Sequence, residues 1–179
     1  KYQIKTNNIK ERMMEYFFIH PTVKLRVRQI ERVTKAPLPS VIRYTKELEK
    51  EEILKRSIVA NVTLFCANRA SKAFLLEKTL YNLRKIHASG LISFLQEELS
   101  NPAIVVFGSY AKGEDIEESD IDLYIETLSK KKIDVVKYEK DIGRKIQLFT
   151  YRKFCDIENK ELANNIVNGI ILVGFLEVL

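Results

Sequence analysis

The stretch Phe107-Gly108-Ser109-Tyr110-Ala111-Lys112-Gly113-Glu114-Asp115-Ile116-Glu117-Glu118-Ser119-Asp120-Ile121-Asp122-Leu123-Tyr124-Ile125 decides how the second half of the chain folds. Just upstream, Pro102 opens the continuous apolar run Ala103-Ile104-Val105-Val106-Phe107, which suits a fully buried strand. That strand ends in Gly108-Ser109. Eleven residues further on, Asp120 and Asp122 stand at i and i+2 in a second β-like run. In a strand this spacing sends both carboxylates to one face, while Ile121, Leu123 and Ile125 fill the core on the other. Two carboxylates on one face beside a short strand–turn element make a hard oxygen site of the kind Mg²⁺ takes. Gly108 permits close backbone approach, and Ser109 with the following backbone N–H groups can hold phosphate oxygens.

The same stretch resembles the signature of the nucleotidyltransferase superfamily that includes DNA polymerase beta, and especially its minimal nucleotidyltransferase branch. That pattern is Gly-Ser, a bulky residue, Ala, Arg or Lys, Gly, then Ser-Asp-x-Asp-Leu, and the resemblance covers about residues 89–179. It implies a small mixed-sheet α/β domain in which Gly108 and Ser109 bind the phosphates of a nucleoside triphosphate. Asp120 and Asp122 would be the catalytic carboxylates, holding two Mg²⁺ ions that align attack on the α-phosphorus and stabilise departing pyrophosphate. Lys112 is a triphosphate contact or a solvated loop charge. The acidic run Glu114, Asp115, Glu117 and Glu118 reads as solvated loop, with direct metal ligation as the alternative. Members of the minimal branch often pair with a small helical partner protein in toxin–antitoxin modules, and the resemblance implies such a partner here.

One position departs from the pattern. The family's third carboxylate lies on a later strand facing the first two, and the matching stretch here is Ile142 to Tyr151, with the expected Asp replaced by Gln147. An amide can offer one carbonyl oxygen to a metal, but it cannot act as a base and it removes one negative charge. The penalty on transfer is on the order of 10²–10⁴. Asp134, Asp141 and Asp156 fall on helical or loop stretches rather than on this strand face. After the strand, a Thr-initiated helix is expected, then one or two helices over 153–168 and a last short strand within 168–174.

The whole chain of 179 residues suits one ordinary domain or two small ones. With 46% apolar and 30% charged residues it is ordinary globular composition, which excludes fibrous repeats and disorder. Cys66 and Cys155 lie far apart, form no metal-spacing pattern, and read as thiols of a reducing compartment. No apolar run approaches the ~20 residues of a membrane helix, and Lys1 to Arg12 has no signal-peptide core. A soluble cytoplasmic protein, with no membrane partner, is the expectation. The formal charge of +6 is uneven: residues 1–68 hold 14 Lys/Arg and 7 Asp/Glu, and residues 69–179 hold 16 and 17. A basic first third suggests a module that faces a polyanion.

In that third, Ile9, Met13, Met14, Phe17 and Phe18 recur at helical spacing after the capping candidates Asn7 and Asn8, and His20-Pro21 ends the helix. Thr22 is placed to cap a second helix, with Leu25, Val27, Ile30 and Val33 apolar. Ser40 is placed to cap a third, running to about Lys50. Two β-like runs around Ala60-Asn61 suit a hairpin. Helix, helix, turn, helix, hairpin is the order of a winged helix-turn-helix, and residues 39–54 resemble that family's recognition helix. Val41, Thr45 and Leu48 face the core. Ser40, Arg43, Tyr44 and Lys46 then face DNA, with Lys55 and Arg56 reaching phosphates from the start of the wing. The family's usual Gly before the wing is Glu52 here. A solvated basic face and a protein-docking module are the alternatives.

Residues 69–99 read as helix, punctuated by Ser89-Gly90, with an apolar surface broad enough to require burial. The fold expected is α+β: a winged helix-turn-helix over 1–68, a connecting helix over 69–88 that contributes to a homodimer, and a nucleotidyltransferase-like domain over 89–179. The function expected is Mg²⁺-dependent transfer of a nucleoside monophosphate from NTP to an acceptor, with DNA bound by the first module. The alternative is a transferase-like DNA-binding transcriptional regulator or nucleotide sensor, impaired at Gln147.

Overall fold

Local chemistry sets each helix start in the first half of the chain, of which the computed structural model describes residues 8–178. Helix α1 (Ile9–Ile19) begins where the Asn8 side chain accepts the Lys10 N–H at 3.0 Å, and it stops at His20, before Pro21. Asn7 lies outside the described residues. Thr22 does not cap the next helix, because the chain first forms a two-residue strand, β1 (Lys24–Leu25). Helix α2 (Val27–Thr34) starts after one intervening residue, Arg26, and its cap is made by Gln29, whose Oε1 accepts the Arg26 N–H at 2.8 Å. Helix α3 (Leu38–Lys50) is preceded by Pro37 and carries Pro39 in its first turn, where a missing N–H costs nothing. Ser40 therefore lies inside the helix and is not its cap.

Strands β2 (Leu54–Val59) and β3 (Val62–Ala67) form the expected hairpin. Its two linking residues, Ala60 and Asn61, both take positive φ (+47° and +62°), the backbone that tight hairpins require. With β1 they make an antiparallel sheet of order β1-β3-β2. Phe65 and Ala67 on one face join Met13, Phe17, Ile30, Val41, Leu48 and Phe74 in a single core. Each of these side chains other than Ala67 contributes roughly 1.5–3 kcal/mol on burial.

Helix α4 (Lys72–Ala88) follows, and the chain divides into two units after Tyr81, within this helix. Gly90, at φ +78°, breaks it from α5 (Leu91–Leu99). The second unit continues with β4 (Ala103–Phe107), α6 (Gly108–Lys112), β5 (Ile121–Glu126), α7 (Val136–Ile142) and β6 (Ile146–Tyr151). A 3₁₀ turn over Phe154–Asp156, α8 (Lys160–Val167) and β7 (Ile170–Val173) complete it. Thr150 is part of β6 and starts no helix; α8 is capped instead by Asn159, whose side chain accepts the N–H groups of Glu161 and Leu162.

The second sheet is mixed, in the order β6-β5-β4-β7, with β5 and β6 parallel and the other pairs antiparallel. Both faces are covered. Ile104, Val106, Leu123 and Ile125 pack with Leu91, Leu95, Tyr138 and Ile142. Val105, Phe107 and Tyr124 pack with Phe154, Ile157 and Ile166. A one-residue slip of β5 would drive Asp122 into the first of these cores, so burial on both sides fixes its register. The molecule is thus a mixed α+β protein with small sheets. Among the described residues, no helix is long and apolar enough to cross a membrane.

Candidate active site

The candidate site lies where β4 ends and β5 begins. Phe107, the last residue of β4, is opposite Asp122, and Asp122 is in turn beside Gln147 of parallel β6. Cross-strand neighbours share a face, so Asp120, Asp122 and Gln147 point the same way. The Gln147 Nε2 donates to Asp120 Oδ2 at 3.4 Å. Gly108 closes the other side. Its φ is +72°, and a Cβ added there would lie 2.6 Å from Asp122 Oδ2, so only a glycine lets this backbone sit against the carboxylate. The sequence had placed Gly108, Asp120, Asp122 and Gln147 in one site, and the fold brings these four together. Ser109 is half-buried in the first turn of α6. Lys112 is exposed at the end of that helix, with its charge in solvent.

Burial, and secondarily the neighbouring charge of Asp120, hold the Asp122 carboxyl above the usual carboxylate range. The ionised pair is therefore electrostatically frustrated on its own, and a cation between the two carboxylates would relieve it. Two carboxylates and the Gln147 amide oxygen are hard donors, suited to a divalent metal of the Mg²⁺ kind. Among the described residues, no group of three His, Cys, Asp or Glu side chains is placed to hold a metal. Asp134, Asp141 and Asp156 are engaged locally or exposed: the Asp134 carboxylate accepts the Val136 N–H, Asp141 is exposed on α7, and Asp156 accepts the Lys153 N–H.

The acidic run is not uniformly solvated, which corrects the sequence reading. Asp115 is only 1% exposed. Its Oδ1 accepts from Asn82 Nδ2 at 2.8 Å, and its Oδ2 faces Arg144 Nη2 at 3.3 Å. Arg144 also donates to the carbonyls of Ile116 and Glu117, and Asn82 to that of Tyr110. These contacts clasp the loop between α6 and β5 that delivers Asp120. Nothing in the local pattern separates Asp115 from its acidic neighbours; the partners come from residues 33 and 29 positions away. Glu139 adds a second tie. It accepts the Ile146 N–H at 3.0 Å, the chief reason its carboxyl lies below the usual range, and so anchors β6 next to Gln147.

In the first unit, Val41, Thr45 and Leu48 are buried as expected, and Arg43, Lys46 and Lys55 are exposed. Ser40 is half-buried in the first turn of α3. Tyr44 is half-buried against the core with Arg43 over its ring at 4.4 Å, so it is not a free outward side chain. Arg56 is bound by both oxygens of Glu49, at 3.0 and 3.1 Å, which uses its guanidinium. Glu52 occupies the left-handed region at φ +60°, the conformation glycine takes most readily.

Comparison with known proteins bears on the second unit. Residues 90–174 match the family model described as polymerase beta, nucleotidyltransferase. A protein of Methanocaldococcus jannaschii, named as a candidate protein adenylyltransferase, is 31% identical over 103 residues, covering 54% of this chain and 99% of that protein. No solved structure matches the chain. The strand–Gly-Ser–helix turn, the Asp120/Asp122 pair and these likenesses together place the chain in the polymerase beta nucleotidyltransferase family.

Proposed function

We propose that the second unit binds a nucleoside triphosphate with Mg²⁺ and transfers its nucleoside monophosphate to an acceptor hydroxyl at a low rate. The observation that carries this reading is the Gly108–Asp122–Asp120–Gln147 constellation: a glycine turn against two carboxylates on one face, with an amide at the third position. Asp120 and Asp122 would hold the metal, which supplies charge neutralisation at the phosphates. Ser109 and the backbone N–H groups of its turn would hold phosphate oxygens, and Lys112, exposed at the end of α6, is the candidate contact for the outer phosphates. Transfer forms a bond from the acceptor oxygen to the α-phosphorus and breaks the bridge to the β-phosphate, with pyrophosphate leaving. The acceptor proton must go to solvent or to the acceptor's own surroundings, because the Gln147 amide cannot take it. The name of the archaeal relative points to a protein side chain as the acceptor class.

Incubation with labelled ATP, GTP, CTP or UTP and Mg²⁺ tests the reading. Label should appear on an acceptor in the wild type and vanish in Asp120→Asn with Asp122→Asn; label that persists in the double variant would reject it.

The Gln147 amide bonded to Asp120 favours a second reading, in which the domain senses nucleotide for a DNA-binding first unit. The three helices and the β1-β3-β2 sheet of that unit support reading it as a winged helix-turn-helix, and a homodimer would seat on the exposed Leu76 and Leu80 of α4. Salt-dependent DNA binding and a dimeric mass in light scattering support this; salt-independent or absent binding and a monomeric mass count against it.

A further inference from the structure

The cations of the first unit are not confined to the expected recognition helix. From Pro37 to Arg56, a stretch that holds α3 and the start of the hairpin, five Lys/Arg face four Glu. One of those cations is firmly engaged, Arg56 by both oxygens of Glu49; Arg43, 3.8 Å from Glu47, is in an exposed and weak pair. From Thr22 to Ala36, five Lys/Arg face Glu31 alone. Four of the five, Lys24, Arg26, Arg28 and Arg32, converge with Gln29 and Leu64 on an open cleft of about 510 Å³ between α2 and the outer face of the β1-β3 pair. All four are exposed. Among the described residues, Arg28 is the one of the four with a carboxylate in ion-pair range, Glu31 at 3.3 Å, and that pair is solvent-exposed and weak.

Four like charges gathered around one concavity repel one another, and an exposed cleft lined by cations concentrates phosphate. Guanidinium groups, three of the four here, present fixed pairs of N–H donors that match phosphate oxygens. We infer that this cleft is the main polyanion site of the first unit and that its ligand chemistry is a chain of phosphates. The source is a nucleic-acid backbone or a free oligophosphate. The inference builds on the reading of this unit as a nucleic-acid binder but moves the principal contact from α3 and the hairpin to the α2 cleft.

The test uses the full chain, a labelled random-sequence DNA duplex and inorganic tripolyphosphate. Arg28→Ala with Arg32→Ala should weaken duplex binding about tenfold or more and reduce the slope of log affinity against log salt by about two, one per lost phosphate contact. Arg43→Ala with Lys46→Ala should have the smaller effect. Duplex binding lost in the α3 variant but intact in the cleft variant overturns the cleft while leaving the nucleic-acid reading in place. Tripolyphosphate bound through the cleft residues, with no duplex binding, upholds the cleft and rejects that reading. No binding of either probe by the wild type overturns both. Unchanged thermal melting of each variant, expected because all four positions are exposed, separates lost contacts from lost fold.

Discussion

The Asp120/Asp122 site and the α2 cleft are both fitted to phosphate chemistry and are built in opposite ways. The first is enforced: Gly108 admits Asp122, two covered sheet faces fix its register, and the buried Asp115–Arg144 pair fixes the loop that brings Asp120. The second is a set of exposed cations on a short helix and a two-residue strand, with solvent as their main partner. Carboxylates can approach phosphate only through a cation, so their spacing must be held against burial and their own repulsion; burial first, and the Asp120 charge second, raise the Asp122 carboxyl. Guanidinium groups attract phosphate directly and tolerate loose placement. A site whose charges match the sign of its ligand needs tertiary support and a bridging cation; a site made of charges opposite to its ligand needs mainly proximity.

The largest effect expected from breaking this contrast is at Gln147. Gln147→Asp completes a carboxylate set on adjacent strands and should raise the rate of nucleotidyl transfer by on the order of 10²–10⁴, read by label incorporation under saturating NTP and Mg²⁺. The same variant should melt lower than wild type without metal and recover when Mg²⁺ is added, because a third carboxylate adds to the repulsion already acting on Asp122.

Next comes the clasp. Asp115→Ala leaves Arg144, with a side chain 10% exposed, and the Asn82 amide without their carboxylate partner. A loss of about 3 kcal/mol is expected, a fall of roughly 6–12 °C in melting temperature for a chain of this size. A melting temperature within 2 °C of wild type would show that the loop is held by other means.

Gly108→Ala should cost about 2 kcal/mol from its positive φ and the contact with Asp122 Oδ2. It should also abolish NTP binding in calorimetry, since the displaced carboxylate is the one facing the phosphate turn. At the other extreme, Arg28→Ala and Arg32→Ala should each change stability by no more than ~0.5 kcal/mol in denaturant titration, although together they remove half of the cleft's cations. A larger loss at either would mean that the cleft carries structural weight and that the contrast with the enforced site is less sharp.

Much of the enforced site was legible in the sequence because it is local. Period-two alternation from Ile121 to Ile125, the apolar run from Ala103 to Phe107 and the Gly-Ser break give two strands, a turn and a shared carboxylate face from adjacent residues alone. Gln147 was also legible, through a pattern whose register the pairing of Asp122 with Gln147 reproduces. Helix starts were less so. Thr22 and Ser40 are good capping residues, yet a strand at Lys24–Leu25 and the Pro37–Pro39 turn moved both helix boundaries away from them. Capping preference is worth about 1 kcal/mol, and a sheet pairing or a proline constraint outweighs it.

By itself, then, the sequence determined the strand–turn–strand that carries Asp120 and Asp122, the missing negative charge at Gln147, and the basic surplus of the first third. The first and third depend on residue type and local spacing, and the second on the resemblance to the nucleotidyltransferase pattern. The tertiary structure decided which of the charges are free. It buried Asp115 against Arg144, tied Arg56 to Glu49, and left Lys24, Arg26, Arg28 and Arg32 around one cleft. An ion pair depends on distance through space, and the chain positions of its two partners need carry no trace of it.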